Sequence, residues 1–324
     1  MKKKLLSLAS LLAVLNTHAI EIGPTGSGIE LGGFVDLAFT DQDTGNQSTA
    51  VGQVELNLDY TTGPVSVSLD FDYGIGSKYG SEDANLEEAV ITYDFGGGFS
   101  VSAGKMLSYM GFEAFDPTNM YQYSYAYDSG NTAVQSIYDA YDVGISADYS
   151  TDSYSIGVWT SAENSAGYEL ALAFTGIDNL TAKAIWSDFS DQAGAPAYDK
   201  STYWISYQLG KLLVAGEVAE SNMRDAGDPT EAGYTAPTDI DGMLLMANYS
   251  FTEKVALTLR YSTEEVSAWN SDTLTNEYNK FTISPSYVFT DNLSGLIEYS
   301  TYKDNVAGTT DPEDLIAAEV IFTF

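Results

Sequence analysis

Apolar and polar residues alternate with a period of two along most of this chain. Val54, Leu56, Leu58 and Tyr60 interleave with Glu55, Asn57 and Asp59, and Val65, Val67, Leu69, Phe71 and Tyr73 interleave with Ser66, Ser68, Asp70 and Asp72. Successive side chains of a strand point to opposite sides, so each run predicts a strand with one apolar and one polar face. The same alternation returns at Val143, Ile145, Ala147 and Tyr149, at Tyr168, Leu170, Leu172 and Phe174, at Val255, Leu257, Leu259 and Tyr261, and at Ile316, Ala318, Val320, Phe322 and Phe324. It predicts about sixteen strands, over 29–40, 51–60, 65–74, 86–95, 99–106, 141–149, 154–161, 167–175, 180–187, 201–209, 211–220, 240–251, 255–262, 279–289, 293–301 and 315–324.

The predicted connections fall into two sets. Thr61-Thr62-Gly63-Pro64, Gly96-Gly97-Gly98, Thr151-Asp152-Ser153, Gly176-Ile177-Asp178-Asn179, Gly210, Thr252-Glu253-Lys254 and Thr290-Asp291-Asn292 are tight, whereas the alternate connections, such as Asn222 to Asp239 and Thr263 to Tyr278, are long, polar and acidic. Alternation of short and long connections predicts an all-β, antiparallel transmembrane barrel with short periplasmic turns and long extracellular loops. Tyr60, Tyr73, Phe95, Phe99, Tyr149, Tyr154, Phe174, Phe251, Phe289 and Phe324 fall at predicted strand ends, where rings form an interfacial girdle. The last strand ends on Phe324 after Ile-Phe-Thr, the pattern of a terminal assembly signal for outer-membrane barrels.

The N-terminus breaks the pattern. Lys2, Lys3 and Lys4 precede an apolar stretch from Leu5 to Leu15, and Thr17-His18-Ala19 ends on a small residue, which predicts a signal peptide over 1–19 and one barrel domain over 20–324. Cleavage removes His18, the single histidine, and the chain has no cysteine. Without imidazole or thiol, a Ser-His-Asp triad, a Cys-His dyad and a zinc site of the usual donors are all excluded. An outer-membrane hydrolase would therefore lack its histidine base, and no cofactor or metal is expected. With 13 Lys+Arg against 46 Asp+Glu, a net charge of −33, the chain presents no phosphate-tracking surface, which excludes nucleic acid as a partner.

Short motifs add little. Gly98 to Lys105 would need glycine at Phe99 and Ser or Thr at Met106 to form a phosphate loop, and the acidic run from Asp41 has its glycine one place early and Gly52 at the twelfth position of a calcium loop. The adjacent carboxylates Glu87-Glu88 and Glu264-Glu265 are expected on opposite faces of their strands unless a bulge intervenes. Acidic loops are expected to meet lipopolysaccharide through divalent cations, without a dedicated site.

Gly32-Gly33-Phe34-Val35-Asp36, Ala103-Gly104-Lys105, Gly111-Phe112-Glu113 and Asp116-Pro117, together with the signal peptide, resemble the outer-membrane β-barrel porins of the OmpL-like type. That resemblance implies a channel for passive diffusion of small hydrophilic solutes. With general porin precedent it also implies a homotrimer, for which outward Gly33, Gly216 and Gly295 are candidate contact residues. A non-conducting structural or adhesive barrel is the alternative.

If the apolar faces meet lipid, the polar faces meet a lumen. The expected lining is Asp36, Glu55, Asp59, Asp70, Asp72, Glu88, Asp94, Asp142, Asp148, Glu169, Glu217, Glu298 and Glu319, with Lys183, Arg260 and Lys280 as its basic members. Leu107 to Ala140 is the longest connection and the third long one; in general porins the corresponding loop folds inward. It carries Glu113, Asp116, Asp128 and Asp139, which makes these four the expected constriction, with Tyr109, Phe112, Phe115, Tyr121, Tyr123, Tyr125, Tyr127 and Tyr138 packing it or offering stacking faces. The expected outcome is cation selectivity.

Overall fold

The computed structural model describes residues 19–43, 47–73, 84–113, 116–127, 137–162, 167–189, 197–225, 238–268, 274–304 and 313–324. Sixteen antiparallel strands close on themselves: β2 (Ile29–Gln42), β3 (Gln47–Thr62), β4 (Val65–Tyr73), β5 (Ala84–Gly96), β6 (Phe99–Leu107), β7 (Tyr141–Ser150), β8 (Tyr154–Ser161), β9 (Gly167–Phe174), β10 (Leu180–Phe189), β11 (Ala197–Leu209), β12 (Leu212–Asp225), β13 (Thr238–Ser250), β14 (Val255–Ala268), β15 (Leu274–Thr290), β16 (Leu293–Asp304) and β17 (Glu313–Thr323). Each pairs with its neighbours in sequence, and β17 pairs with β2 to seal the seam. A two-residue strand, β1 (Ile20–Glu21), pairs with the start of β2. Residues 1–18, all but the last residue of the expected signal peptide, lie outside the described residues.

All sixteen expected strands are present. The apolar side of each faces outward: Leu56, Ile91, Ile145, Val218, Leu245 and Ile297 are exposed on the barrel's outer surface. Asp36, Glu55, Asp148, Glu169, Glu217, Glu298 and Glu319, at the alternate positions, are buried inside. A basic charge on a lipid-facing midplane position costs about 2–4 kcal/mol and an acidic one less, so the alternation itself fixes which face turns in. The strand-end rings Tyr60, Tyr73, Phe95, Phe99, Tyr149, Tyr154, Phe174, Phe251 and Phe289 are exposed on the outer side.

The lengths of the connections differ from expectation at the end opposite the tight turns. The segment Thr263 to Tyr278 was expected as a loop, yet β14 and β15 stay paired through Ser267 and Leu274. Along that extension the pattern inverts, with Glu265 outward and Val266 buried inward, because a strand rising beyond an apolar belt meets water outside and packed loop inside. For Asn222 to Asp239 the β12–β13 pairing ends at the expected bounds, although β12 runs on to Asp225 against β11 and β13 begins at Thr238 against β14.

Two bulges matter for the lumen. Asp36 pairs with Gln53 and Leu37 with Val51, leaving Gly52 as the extra residue of β3; a Cβ on Gly52 would meet Asp36 Oδ2 at 2.3 Å, so glycine makes room for that carboxylate. Asp70 pairs with Glu88 and Phe71 with Leu86, leaving Glu87 as the extra residue of β5.

Candidate pore constriction

Between β6 and β7 the chain leaves the wall and crosses the lumen. Ser108 N donates to Ala140 O at 3.0 Å, which closes the base of this loop as it departs from and returns to the wall. Its described part is held by side chains that point inward from seven strands. Tyr109 N and Ser108 Oγ donate to Glu169 of β9 at 2.9 and 2.7 Å, and Tyr109 Oη donates to Asp148 of β7 at 2.8 Å. Phe112 N donates to Glu217 of β12 at 3.0 Å, and Tyr138 Oη donates to the same carboxylate. Ser124 presents its N and Oγ to Glu298 of β16 at 3.0 and 2.5 Å.

The basic residues complete the clamp. Arg260 of β14 donates to Glu113 Oε1 and to the Ser124 carbonyl, both at 2.6 Å, and Lys280 of β15 donates to the Tyr125 carbonyl at 3.1 Å. Lys200 of β11 pairs with Asp139 at 2.5 Å. Glu113 also accepts from Gln122 Nε2 and Ala126 N at 2.7 Å. A buried carboxylate is tolerated only when its oxygens are matched in this way.

The expected constriction residues therefore separate. Glu113 is an anchor whose charge Arg260 balances, and Asp139 is balanced by Lys200. Asp128 lies outside the described residues. Of the three that are described, Asp116 alone meets the opposite wall: carboxylate oxygens of Asp116, Glu55 and Glu87 lie within 4.8 Å of one another, an arrangement able to hold a cation. Burial, and then the charge of Asp70, push the Asp116 carboxyl up to about 6.

Around that cluster the wall of β3, β4 and β5 is acidic. Asn57 Nδ2 donates to Glu55 at 2.6 Å and to Asp70 at 2.7 Å, and Ser68 Oγ donates to Asp59 at 2.8 Å. Asp72 and Glu88 sit on the same inner face, paired in register with Glu55 and Asp70. Adjacent Glu87 and Glu88 are expected on opposite faces unless a bulge intervenes, and here the bulge of β5 turns Glu87 inward beside Glu88. Glu264 and Glu265, with no bulge between them, do point apart, one buried and one exposed.

The remaining lining residues occupy various positions. Asp36 and Glu319 are fully buried on β2 and β17, and Asp142 lies at the start of β7 beside the loop's return. Asp94 has the inner parity of β5 but sits at its tight-turn end, exposed, where it accepts from Gly96 N at 2.7 Å. Lys183 stands over the Trp204 ring at 5.3 Å.

The inner wall also carries an aromatic patch. Trp159, Phe189 and Trp204 are buried inside the barrel on β8, β10 and β11, together with Tyr109 of the loop. The signal was present at Trp159, a bulky ring at the polar parity of its strand, after Ser155 and Gly157.

Comparison with known proteins agrees with the barrel fold. Residues 28–324 match the family described as "Putative beta-barrel porin-2, OmpL-like". Among solved structures, outer-membrane expressed OmpT of Vibrio cholerae superposes with a TM-score of 0.70 at 13% identity, covering 94% of this chain and 100% of that one. OmpF of Salmonella typhi, in complex with daunomycin, gives 0.70 at 14% identity with coverage of 94% and 100%. An anion-selective porin from Comamonas acidovorans gives 0.66 at 11% identity with coverage of 91% and 99%. No individual curated protein matches at the sequence level.

Proposed function

The chain belongs to the "Putative beta-barrel porin-2, OmpL-like" family, and from that premise we propose that it is an outer-membrane diffusion channel for small hydrophilic solutes that favours cations. The observation that carries the selectivity is the approach of Asp116 on the loop to Glu55 and Glu87 on the wall. Low-dielectric walls focus the potential of such a cluster on whatever passes beside it. The basic side chains that would offset it are turned elsewhere: Arg260, Lys280 and Lys200 are bound to the loop.

Fold likeness leaves selectivity open, since one similar structure is described as anion-selective. The sign must come from the charges of this chain. In this reading the signal peptide over 1–19 directs export, the exposed apolar belt meets outer-membrane lipid, and acidic extracellular loops meet lipopolysaccharide. A homotrimer is part of the proposal, supported by the trimer form described for OmpT of Vibrio cholerae.

The deciding experiment is single-channel recording in a planar bilayer with a KCl gradient. A reversal potential of cation sign supports the proposal, and one of anion sign refutes the selectivity. The many bonds that hold the loop across the lumen favour one rival, a barrel plugged by its own loop; absence of conductance would select it.

A further inference from the structure

We propose that Lys183, on the inner face of β10, is a docking point for the carboxylate group of a passing solute. Its side chain is buried, with the residue only 5% exposed, yet among the described residues its ammonium makes no hydrogen bond and no ion pair. What it meets is the Trp204 ring, 5.3 Å away. A ring face attracts the charge but leaves the three N–H donors unmatched, and a buried charge without an acceptor is costly. The ammonium tip itself reaches solvent-accessible space, so a ligand can approach it.

Strand register places further donors beside it. Lys183 lies opposite Trp204 on β11 and Ala173 on β9, and the next inward pair toward the tight turns is Thr181 with Ser206. Ser155 of β8 lies opposite Ala173 on the same inner face. Among the described residues, the hydroxyls of Ser155, Thr181 and Ser206 are not bonded to any protein group, so each is available to donate. Lys183 is the fourth residue of β10, about 10 Å along the strand from its tight-turn end, which puts these donors near that mouth of the lumen.

The charge of the ligand follows from what surrounds the ammonium. The wall acids on this side are engaged by the loop: both Glu169 oxygens accept from Ser108 and Tyr109, and Glu217 accepts from Phe112 N and Tyr138 Oη. Trp204 stands between Lys183 and Glu217 in their register row. A cation would be repelled, and a neutral solute would leave the ammonium uncompensated. One ammonium balances one negative charge, which suits a carboxylate better than a phosphate dianion. The two carboxylate oxygens can accept from Nζ and from a neighbouring hydroxyl together. Ala173, Ile185 and Trp204 form part of an apolar cluster behind the ammonium, and the low dielectric there strengthens the attraction.

This inference needs the folded barrel and does not depend on the cation preference proposed above, which the Asp116 cluster on another part of the wall carries. Its test reads binding instead of current: saturation-transfer NMR on the full-length protein folded in detergent, with acetate as the probe and acetamide, of the same shape without the charge, as comparator. Acetate should receive saturation from the protein and acetamide should not, a contrast that needs no variant. Lys183→Gln should weaken acetate binding about ten-fold, the loss expected for hydrogen bonds to a charged group. Lys303→Gln, at an exposed lysine, removes the same charge elsewhere and should leave acetate binding unchanged. Absence of acetate saturation, equal saturation of acetamide, full binding by Lys183→Gln, or an equal loss in Lys303→Gln would overturn the assignment. The current recordings described above would still stand as a separate test of the channel.

Discussion

Arg260 on β14 donates to Glu113 on the lumenal loop across 2.6 Å, with both side chains buried. The same guanidinium reaches the Ser124 and Tyr125 carbonyls, so one wall residue holds two separate stretches of the loop. Removing one partner of a buried pair strands the other charge and typically costs about 3–5 kcal/mol. Arg260→Ala is expected to lower the temperature at which the folded band is lost on unheated gels. It should also release the loop, which recordings would register as noisier or larger single-channel current.

The pair is neutral, and that changes what its removal does to selectivity. Asp116→Asn deletes a charge that no basic residue among those described balances at the Glu55–Glu87 cluster and should lower the cation preference in a KCl gradient. Glu113→Gln combined with Arg260→Gln deletes a neutral pair and should change it less. Equal shifts from the two variants would remove Asp116 from its special position. The effect should be larger in dilute electrolyte, because the Debye length falls from about 10 Å at 0.1 M to about 3 Å at 1 M.

Acidification provides a second handle on Asp116. Its carboxyl is pushed up to about 6, chiefly by burial and then by Asp70, with Glu55, Glu87 and Asp72 also facing it. A raised carboxyl takes up its proton as pH falls through that value, so the negative charge is lost on going from pH 7.5 to 5. Cation preference should fall over that interval in the parent protein, and the fall should be smaller in Asp116→Asn. An identical pH profile in the two would dissociate Asp116 from the titration.

The strands were legible because lipid outside and lumen inside impose opposite demands on alternate residues, and Leu56 beside Glu55 records both. The loop anchors were not. Glu169, Glu217 and Glu298 look like any lumen acid in the sequence, since nothing local says that a backbone N–H from residues 109–124 will arrive at each. Glu87 was hidden for a similar reason: a bulge is a property of the pairing of β4 with β5, and Glu87-Glu88 carries no glycine to announce it. Strand ends were misjudged where the apolar face stops but pairing continues, as at Glu265 and Val266.

Orientation can be tested at two exposed positions on opposite ends of the barrel. Glu265 lies on the outer face near the loop end of β14, and Asp152 lies in the tight turn between β7 and β8. With short turns in the periplasm, Glu265→Cys should react with an impermeant maleimide on intact cells, and Asp152→Cys only after the outer membrane is breached. The parent chain has no cysteine, so labelling reports the introduced thiol alone. The reverse labelling pattern would invert the topology.

Barrel closure depends on the seam between β17 and β2, and Phe324 completes it. Its N–H donates to Gly33 O and its carbonyl accepts from Gly33 N, both at 3.0 Å, which extends the pairing past Thr323 and Phe34. Its ring stacks on Phe322 at 6.3 Å and 27°. Gly33 has φ +156°, and a Cβ there would lie 2.1 Å from the Glu55 carbonyl and 3.1 Å from Phe324 Cζ, so its place in the seam is a conformational requirement before it is a candidate subunit contact. Phe324→Asp puts a charge where an apolar ring anchors the last strand at the interface, and Gly33→Ala forces β2 away from β3 and from that ring. Both variants are expected to yield less heat-modifiable barrel in the outer membrane than a substitution at exposed Asp152. If Phe324→Asp accumulates normally while Gly33→Ala does not, the seam needs the backbone geometry alone and the terminal ring has no part in assembly.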